Sequence, residues 1–353
     1  MKRRNNKQQR IDAFLKDFVC RHNKKQENPK RKRYPRDEST YNTIQENEFG
    51  FYIKWMPMAA WCVANKYENT TYSGIGSPCE YSLYEILVCL SLKSYFHFSL
   101  RRGRGLIKYL VRKECLEVKV PSFRMLGYYM IDPLVRECFE KLVEITSDPL
   151  KAIEDSFATD MTGISTMCFS IWFILRMERK IRKRDNLNVH ITSTIKLNAV
   201  TNVDVRVEKG NDNIIFREHV DSVAKRFNPK EWSGDCVYAS RKNCDKCDEY
   251  GIKPYFKMKE NAADKPKGSP AWKRMSKESK EDPEEYDPHY HKRSNVESTN
   301  SAKKRKFNNF VRSKLDEAKE NEETFTWSCY NFGVLVRAYY EYGIVPEFVS
   351  QCI

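Results

Sequence analysis

The order of candidate strands and helices in the second half of the chain constrains its fold more than any other feature. After Asp148-Pro149, which ends a helix predicted at 133–145, short β-like runs alternate with amphipathic segments. The candidate strands are 153–160, 167–175, 187–195, 199–207, 231–236 and 253–258, and the candidate helices are 214–227 and 241–250. We read the four runs before the first of these helices as three consecutive strands, which are followed by a helix, a strand, a helix, a last strand and a helix from about Arg293.

That order is the order of a ribonuclease-H-like fold, an α/β arrangement in which helices cover both faces of a mixed five-stranded sheet. We predict such a domain over residues 150–353. Within it, a charged segment at about 259–289, rich in Lys, Pro and Glu, is predicted to be a mobile loop with at most one short helix. This loop is either a disordered linker or a segment that becomes ordered on bound DNA.

Residues 37–149 are predicted to form an all-α region. Residues 37–80 are expected to be irregular with short helices, whereas three clearer helices begin near Ser82, Ser99 and Ser122. Three short helices suit a helix-turn-helix-like DNA-binding unit, and a plain helical bundle explains the periodicity equally well. The second of these helices carries the basic residues Arg101, Arg102, Arg104, Lys108 and Arg112.

The positive charge of the chain is concentrated at its N-terminus. Residues 2–36 contain fourteen Lys and Arg against three acidic residues, a local net charge of +11 out of +15 for the whole chain. A segment of this kind binds a polyanion through counterion release and is disordered without one. We therefore predict a disordered basic arm over residues 1–36, although Lys30-Arg31-Lys32-Arg33 also fits a nuclear-localisation signal.

The cysteine pattern and the hydropathy indicate a cytoplasmic, nucleoid-associated protein. Twelve cysteines are scattered without repeated spacing, as in proteins of a reducing compartment. Cys244 and Cys247 form one Cys-x2-Cys pair, which we interpret as two cysteines one helical turn apart, so no zinc is expected. The longest apolar run, residues 164–175, is too short to span a membrane, and the N-terminus is too polar for a signal peptide.

A four-point polar pattern lies on the helix predicted from about Arg293. It has the spacing Tyr-x2-Arg-x3-Glu-x6-Lys, which places its last three residues on one helix face. A charged helix face that is merely exposed to solvent shows the same spacing. Two upstream aspartates accompany it. Asp160 is predicted to end the first strand, before a turn at Thr162-Gly163, and Asp235 to end the fourth. The four residues of the pattern are Tyr290, Arg293, Glu297 and Lys304.

These features resemble the acidic motifs of the DDE transposases, the enzymes of bacterial and archaeal insertion sequences. The first aspartate stands in Asp-x-Thr-Gly, the second in Gly-Asp-x-x-Tyr-x-Ser-x-x-Asn, and the glutamate in the four-point pattern. The resemblance extends over about residues 80–345 and is looser in the N-terminal region. Three residues of the last helix depart from the apolar residues of many relatives, which predicts looser packing of that helix; they are Thr299, Asn300 and Lys303.

The resemblance implies a transposase that cleaves DNA at the ends of an insertion sequence and transfers the strands to target DNA. Asp160, Asp235 and Glu297 would be the catalytic residues and the ligands of two Mg²⁺ or Mn²⁺ ions, for which hard oxygen ligands are suited. The partners would be double-stranded DNA, as terminal inverted repeats and target, and a second copy of the chain in a homodimer. The DNA-binding residues would be Tyr290, Arg293, Lys304, Lys257, Lys259 and Asn261.

Two other functions remain open from the sequence. A domesticated or regulatory protein derived from a transposase would bind DNA without cutting it, and a nuclease with a ribonuclease-H fold would cut without strand transfer. Inverted repeats that flank the gene, with short direct duplications outside them, would favour the transposase. His190, which lies within a predicted strand, is expected to have a structural role.

Deletion of residues 1–36 tests the predicted basic arm. The slope of log affinity for DNA against log salt concentration should become shallower by several units, since each lost phosphate contact removes about 0.9. The measurement is a salt titration of DNA binding by the full chain and the deletion variant. An unchanged slope would show that the arm does not contact phosphates.

Overall fold

The computed structural model describes residues 37–67, 80–166, 186–208, 210–258 and 268–350. The chain has two compact units, Met1–Thr43 and Ile44–Ile353, and the description below concerns the second. Within the described residues, no helix is both long enough and apolar enough to cross a membrane.

In the described part of the chain, five α-helices precede the sheet. Three of the predicted helices, those near Ser82, Ser99 and Ser122, are present, and Ser82 closes a capping box with Glu85. The prediction of irregular structure over residues 37–80 is wrong for residues 38–67, which form one continuous helix; residues 68–79 lie outside the described ranges. The five helices are α1 (Glu38–Tyr67), α2 (Leu83–Tyr95), α3 (Leu100–Arg112), α4 (Phe123–Tyr129) and α5 (Pro133–Ser147).

Helix α1 is continuous because one of its sides packs in the core. Tyr52, Trp55 and Met56 are buried, and the ring of Tyr52 stacks on that of Tyr95 in α2, with 4.1 Å between the ring centroids. Helix propensity alone disfavours the segment, because it includes Gly50 and Pro57. Tertiary burial of the aromatic side overrides this local preference.

The second half contains a five-stranded sheet in the order β3-β2-β1-β4-β5. Strands β1, β2 and β3 are antiparallel neighbours, and β4 and β5 run parallel to β1. This mixed sheet with flanking helices is the predicted ribonuclease-H-like fold. The strand candidate at 167–175 lies outside the described residues. The strands are β1 (Ser156–Ser165), β2 (Asn186–Thr194), β3 (Val200–Arg206), β4 (Glu231–Gly234) and β5 (Lys253–Phe256).

The remaining helices connect or follow these strands. They are α6 (Asp212–Ala224), α7 (Arg241–Glu249), α8 (Pro270–Glu281), α9 (Pro283–His291), α10 (Ser294–Phe307), α11 (Asp316–Tyr342) and α12 (Glu347–Ser350).

The prediction of a mobile loop with at most one short helix at 259–289 is wrong for its larger part, because α8 and α9 lie there. The hydroxyl of Ser269 accepts a hydrogen bond from the Trp272 backbone at the start of α8, and Asp282 caps α9 in the same way. A proline occupies the first turn of each helix. Trp272 and Met275 are buried and anchor α8. In the sequence these two apolar residues are difficult to recognise as core residues, because charged residues surround them.

The two faces of the sheet contact different cores. Phe157 and Trp232 pack with Phe216 of α6 in one core. On the other face, Ala158 and Ile164 belong to a larger core that also includes residues of α1, α2, α5 and α11. Residues on both sides of position 149 therefore share one core, and the predicted domain boundary there stays a prediction.

Helix α11 carries two adjacent buried glutamates at the centre of this larger core. Glu322 accepts a hydrogen bond from Lys93 Nζ of α2 at 2.8 Å, and Glu323 accepts one from Lys303 Nζ of α10. All four side chains are almost fully buried. Buried charges of this kind need their partners, because an ion left unpaired in a core is strongly destabilising.

Glu322→Gln should destabilise the fold by about 3 kcal/mol, because it leaves the Lys93 ammonium buried without a counter-charge. Burial opposes ionisation of Glu322, but Lys93 and the Ser313 hydroxyl outweigh it and lower its pKa from 4.5 to about 2. This contribution to stability is therefore complete above pH about 4.5 and is lost as the pH falls towards about 2.

Chemical denaturation at several pH values measures both effects. Glu341→Gln on the same helix is the control, since Glu341 pairs with Arg337 near the surface and should contribute less than about 1 kcal/mol. Equal losses in the two variants would contradict the importance of the buried pair.

Candidate active site

The parallel pairing of β1 and β4 places Asp160 beside Asp235. The register runs from Ser156 opposite Glu231 to Thr159 opposite Gly234. The next residues in register are the two aspartates, and neighbouring strands lie about 4.8 Å apart. The sheet itself therefore brings these two carboxylates together.

Asp160 lies within β1, not at its end. The predicted turn at Thr162-Gly163 is wrong, because β1 continues to Ser165 and Thr162 pairs with Val189 of β2. The long antiparallel partner β2 extends β1 beyond the point where β4 stops. Asp160 and Thr162 lie on the face that α10 covers, whereas the Thr159 hydroxyl bonds Thr192 and Trp232 on the opposite face.

Asp235 begins the loop that follows β4. Its carboxylate accepts a hydrogen bond from the Val237 backbone at 2.7 Å, an Asx-turn that orients the side chain. Gly234 is required here, since an added Cβ would lie 3.1 Å from the Tyr238 ring and 3.2 Å from that of Phe256.

The rest of the Gly-Asp-x-x-Tyr-x-Ser-x-x-Asn motif supports this loop. Tyr238 is buried, and its hydroxyl is 3.3 Å from Nδ1 of His190. Ser240 caps α7, and the buried amide of Asn243 donates to the Tyr238 carbonyl at 2.9 Å. His190 is buried, with Nε2 3.4 Å from Asp212, so its contacts are those of a packed residue.

Helix α10 and the residue before it present one continuous polar stripe to the aspartates. Arg293, Glu297, Asn300 and Lys304 are spaced by four, three and four residues and so share a helix face. Arg293 Nη2 donates to Glu297 at 2.5 Å, and Asn300 Nδ2 donates to Asp160 Oδ2 at 3.3 Å. Lys304 Nζ donates to Thr162 Oγ1 at 2.6 Å.

The carboxylates of the stripe and the strands interact electrostatically. Burial raises the pKa of Asp160 to about 6, and the negative charges of Glu297 and Asp235 act in the same direction, while the Met161 backbone and Arg293 oppose the shift. Asp160 is thus near two other carboxylates in a partly desolvated place. A positive ligand at this position would relieve both the burial and the repulsion.

The other predicted DNA-binding residues have varied positions. Tyr290 is partly buried, and its hydroxyl lies 3.5 Å from Arg293 Nη1. Lys257 is exposed after β5. Lys259 and Asn261 lie outside the described residues. Burial lowers the pKa of Lys304, and the adjacent charge of Lys303 does so too.

The donor chemistry of the site fits a divalent cation. The three carboxylates are hard oxygen ligands of the kind that Mg²⁺ and Mn²⁺ prefer. Two buried polar atoms beside them, Asn300 Oδ1 and Arg293 Nε, have no hydrogen-bond partner among the described residues. In the described ranges, no three His, Cys, Asp or Glu side chains are gathered closely enough to hold an ion. At this site, Glu297 is 54% exposed and paired with Arg293.

The predicted loose packing of α10 is wrong. Thr299, Asn300 and Lys303 are all buried, and each has a specific partner: the Asn295 carbonyl, Asp160 and Glu323. Asn300 is the contact that sequence reasoning missed. Its position three residues after Glu297 was the available signal, because that spacing puts it on the same helix face.

Comparisons with known proteins give one family. A family model described as "Transposase DDE domain" matches residues 169–332, a range that includes Asp235, Glu297 and Lys304 and begins just after Asp160. Neither the curated proteins nor the solved structures contain a significant match. Over residues 169–332 the chain is similar to the DDE transposases, and the order of the strands in the sheet agrees with that likeness.

Proposed function

We propose that this chain is a transposase that cleaves DNA at the ends of its insertion sequence and joins the freed ends to target DNA, in a reaction that depends on divalent metal ions. The observation that carries the proposal is the position of Asp160 beside Asp235 in the sheet register, with Glu297 of α10 close enough to raise the pKa of Asp160. Two neighbouring aspartates with a third carboxylate nearby on α10 suit a metal site.

Asp160, Asp235 and Glu297 would hold the metal ions, two Mg²⁺ or Mn²⁺. When bound, such ions stabilise the attacking and the leaving oxygen of an in-line displacement at phosphorus. The protein residues orient the carboxylates: the Asx-turn orients Asp235, and Asn300 donates a hydrogen bond to one oxygen of Asp160. To hold an ion, Glu297 would give up its present contact with Arg293.

Arg293 and Lys304 would bind the phosphates of the DNA strand beside the carboxylates. In the structure these cations contact Glu297 and Thr162, which leaves both on the stripe that faces Asp160. A phosphate would replace those contacts by charge-assisted hydrogen bonds of about 1.5–3 kcal/mol each. Tyr290, which contacts Arg293, would support a phosphate or stack on a base.

The substrate would be double-stranded DNA with the terminal repeats of the element, and Lys257, Lys259 and Asn261 would add backbone contacts. Two ends must be brought together before they are joined to one target. We therefore expect a homodimer on DNA.

Replacement of any one carboxylate should abolish cleavage and leave DNA binding largely intact. The variants are Asp160→Asn, Asp235→Asn and Glu297→Gln, which keep the shape of the side chain and remove its charge. Asp221→Asn is the control, because Asp221 lies on α6 and pairs with Lys246. Cleavage and strand transfer are measured separately on duplexes that carry the element ends, with and without Mg²⁺.

Each result of this experiment separates the candidate functions. Cleavage without joining would indicate a nuclease, and binding without cleavage by the unchanged chain would indicate a regulatory protein. Normal cleavage by Asp235→Asn would refute the assignment of the site.

The adjacent residues Lys303 and Lys304 should respond differently to substitution. Lys304→Ala should slow single-turnover cleavage about ten- to a hundredfold with a nearly unchanged melting temperature, because it removes a contact of about 1.4–2.7 kcal/mol to DNA. Lys303→Ala should lower the melting temperature strongly, since Glu323 would stay buried without its partner. A Lys304 variant that melts early and cuts normally would show that Lys304 is structural.

A further inference from the structure

Helix α3 has a charged side that its packing does not explain. Its thirteen residues include five basic and no acidic residues. Gly103, Ile107 and Leu110 are buried on one side. The opposite side is formed by Arg101, Arg102, Gly105, Lys108, Tyr109 and Arg112, of which Tyr109 is 57% exposed.

The two arginines at the start of this side are unfavourable for the helix itself. Arg101 and Arg102 stand in the first turn, where the helix dipole disfavours cations, and Ser99 makes no side-chain cap. In the described part of the chain, Arg102, Lys108 and Arg112 have neither an ion pair nor a side-chain hydrogen bond. Arg101 differs, because it lies 4.3 Å over the ring of Phe123 in α4.

The two glycines of α3 have different explanations. Gly103 is needed for packing, since an added Cβ would lie 3.1 Å from Cβ of Lys93 in α2. At Gly105 an added Cβ would have no atom within 4 Å. A glycine inside an exposed helix costs about 1 kcal/mol relative to alanine, and nothing within the described protein compensates that cost.

Gly105 lies near the middle of the basic side. At 100° per residue, Lys108, Arg101 and Arg112 project on one flank of Gly105, and Tyr109 and Arg102 on the other. A missing side chain at the centre of a basic surface permits the helix backbone to approach a polyanion closely. Arg102 and Arg112 are ten residues and so about 15 Å apart along the axis, enough to reach phosphates on both sides of a major groove about 12 Å wide.

We propose that α3 is the helix that enters the major groove of DNA, with Gly105 at the point of closest approach and with Arg102 and Arg112 on the flanking phosphates. This inference rests on the proposed function, because it takes double-stranded DNA as the partner. It concerns binding by the helical region, and so it is separate from the carboxylate site. The sequence predicts three short helices without indicating which of them enters the groove, and this proposal selects α3.

Binding by the full chain to two duplexes tests the assignment. One duplex holds the ends of the DNA element that encodes the chain, and the other is a shuffled sequence of the same composition; Asp160→Asn is present throughout, so that no DNA is cut. Gly105→Leu should weaken binding to the end duplex at least tenfold, because leucine blocks the close approach. Its melting temperature should stay equal or rise, since leucine is the better helix former.

Gly50→Leu is the matched control. Gly50 is also exposed within a helix, and an added Cβ there has no atom within 4 Å. It should gain the same helix propensity and bind DNA unchanged. A loss of affinity in both variants would overturn the assignment of α3.

The charge contribution is measured with a second pair of variants. Arg102→Ala combined with Arg112→Ala should make the slope of log affinity against log salt concentration shallower by about 1.8, at about 0.9 for each phosphate contact. Lys54→Ala combined with Lys225→Ala removes the same charge from exposed positions elsewhere and should leave the slope unchanged.

The outcomes distinguish this inference from the proposed function. If the unchanged chain binds and cuts the end duplex while the Gly105 and Arg102/Arg112 variants bind as it does, the assignment of α3 is wrong and the proposed function stands. If the chain without the Asp160 substitution neither binds nor cuts either duplex, both are wrong.

Discussion

The two buried glutamates of α11 are the interaction on which much of the larger core depends. Glu322 holds Lys93 of α2, and Glu323 holds Lys303 of α10, so that two adjacent residues of α11 hold α2 and α10. Each ion pair is buried, and each member would be costly without its partner. Helix α11 therefore positions α2 and α10 by buried ion pairs as well as by apolar packing.

This arrangement connects the candidate catalytic residues with the helical region. Lys303 fixes the rotation of α10 about its own axis, because its buried side chain has to face Glu323. The stripe of Arg293, Glu297, Asn300 and Lys304 then faces β1. Lys93 also packs against Gly103 of α3, so α3, the helix proposed to bind DNA, is connected to Glu322 through α2.

The site combines rigid and exchangeable parts. Asp160 is positioned by the strand pairing of β1, and the carboxylate of Asp235 is oriented by the hydrogen bond that it accepts from the Val237 backbone. Glu297 and Arg293, in contrast, hold each other in a contact that is exposed mainly at the Glu297 end. Exposed pairs of this kind contribute little to stability, and a more favourable partner therefore separates them at low cost.

The sequence by itself determined the order of the strands and of the helices α6 and α7 between them, because alternating apolar residues and caps are local signals. It also determined the spacing of Glu297 and its basic neighbours on one helix face. Only the tertiary structure decided that Asp160 stands beside Asp235, since strand register depends on pairing between segments far apart in the chain. The same holds for Lys303, whose burial depends on Glu323, and for α1, where the burial of Tyr52 and Trp55 outweighs the local preference of Gly50 and Pro57. The many charged residues around α8 led to the prediction of a loop. Its few apolar residues can be identified as core residues only from the surface against which they pack, which the sequence does not show.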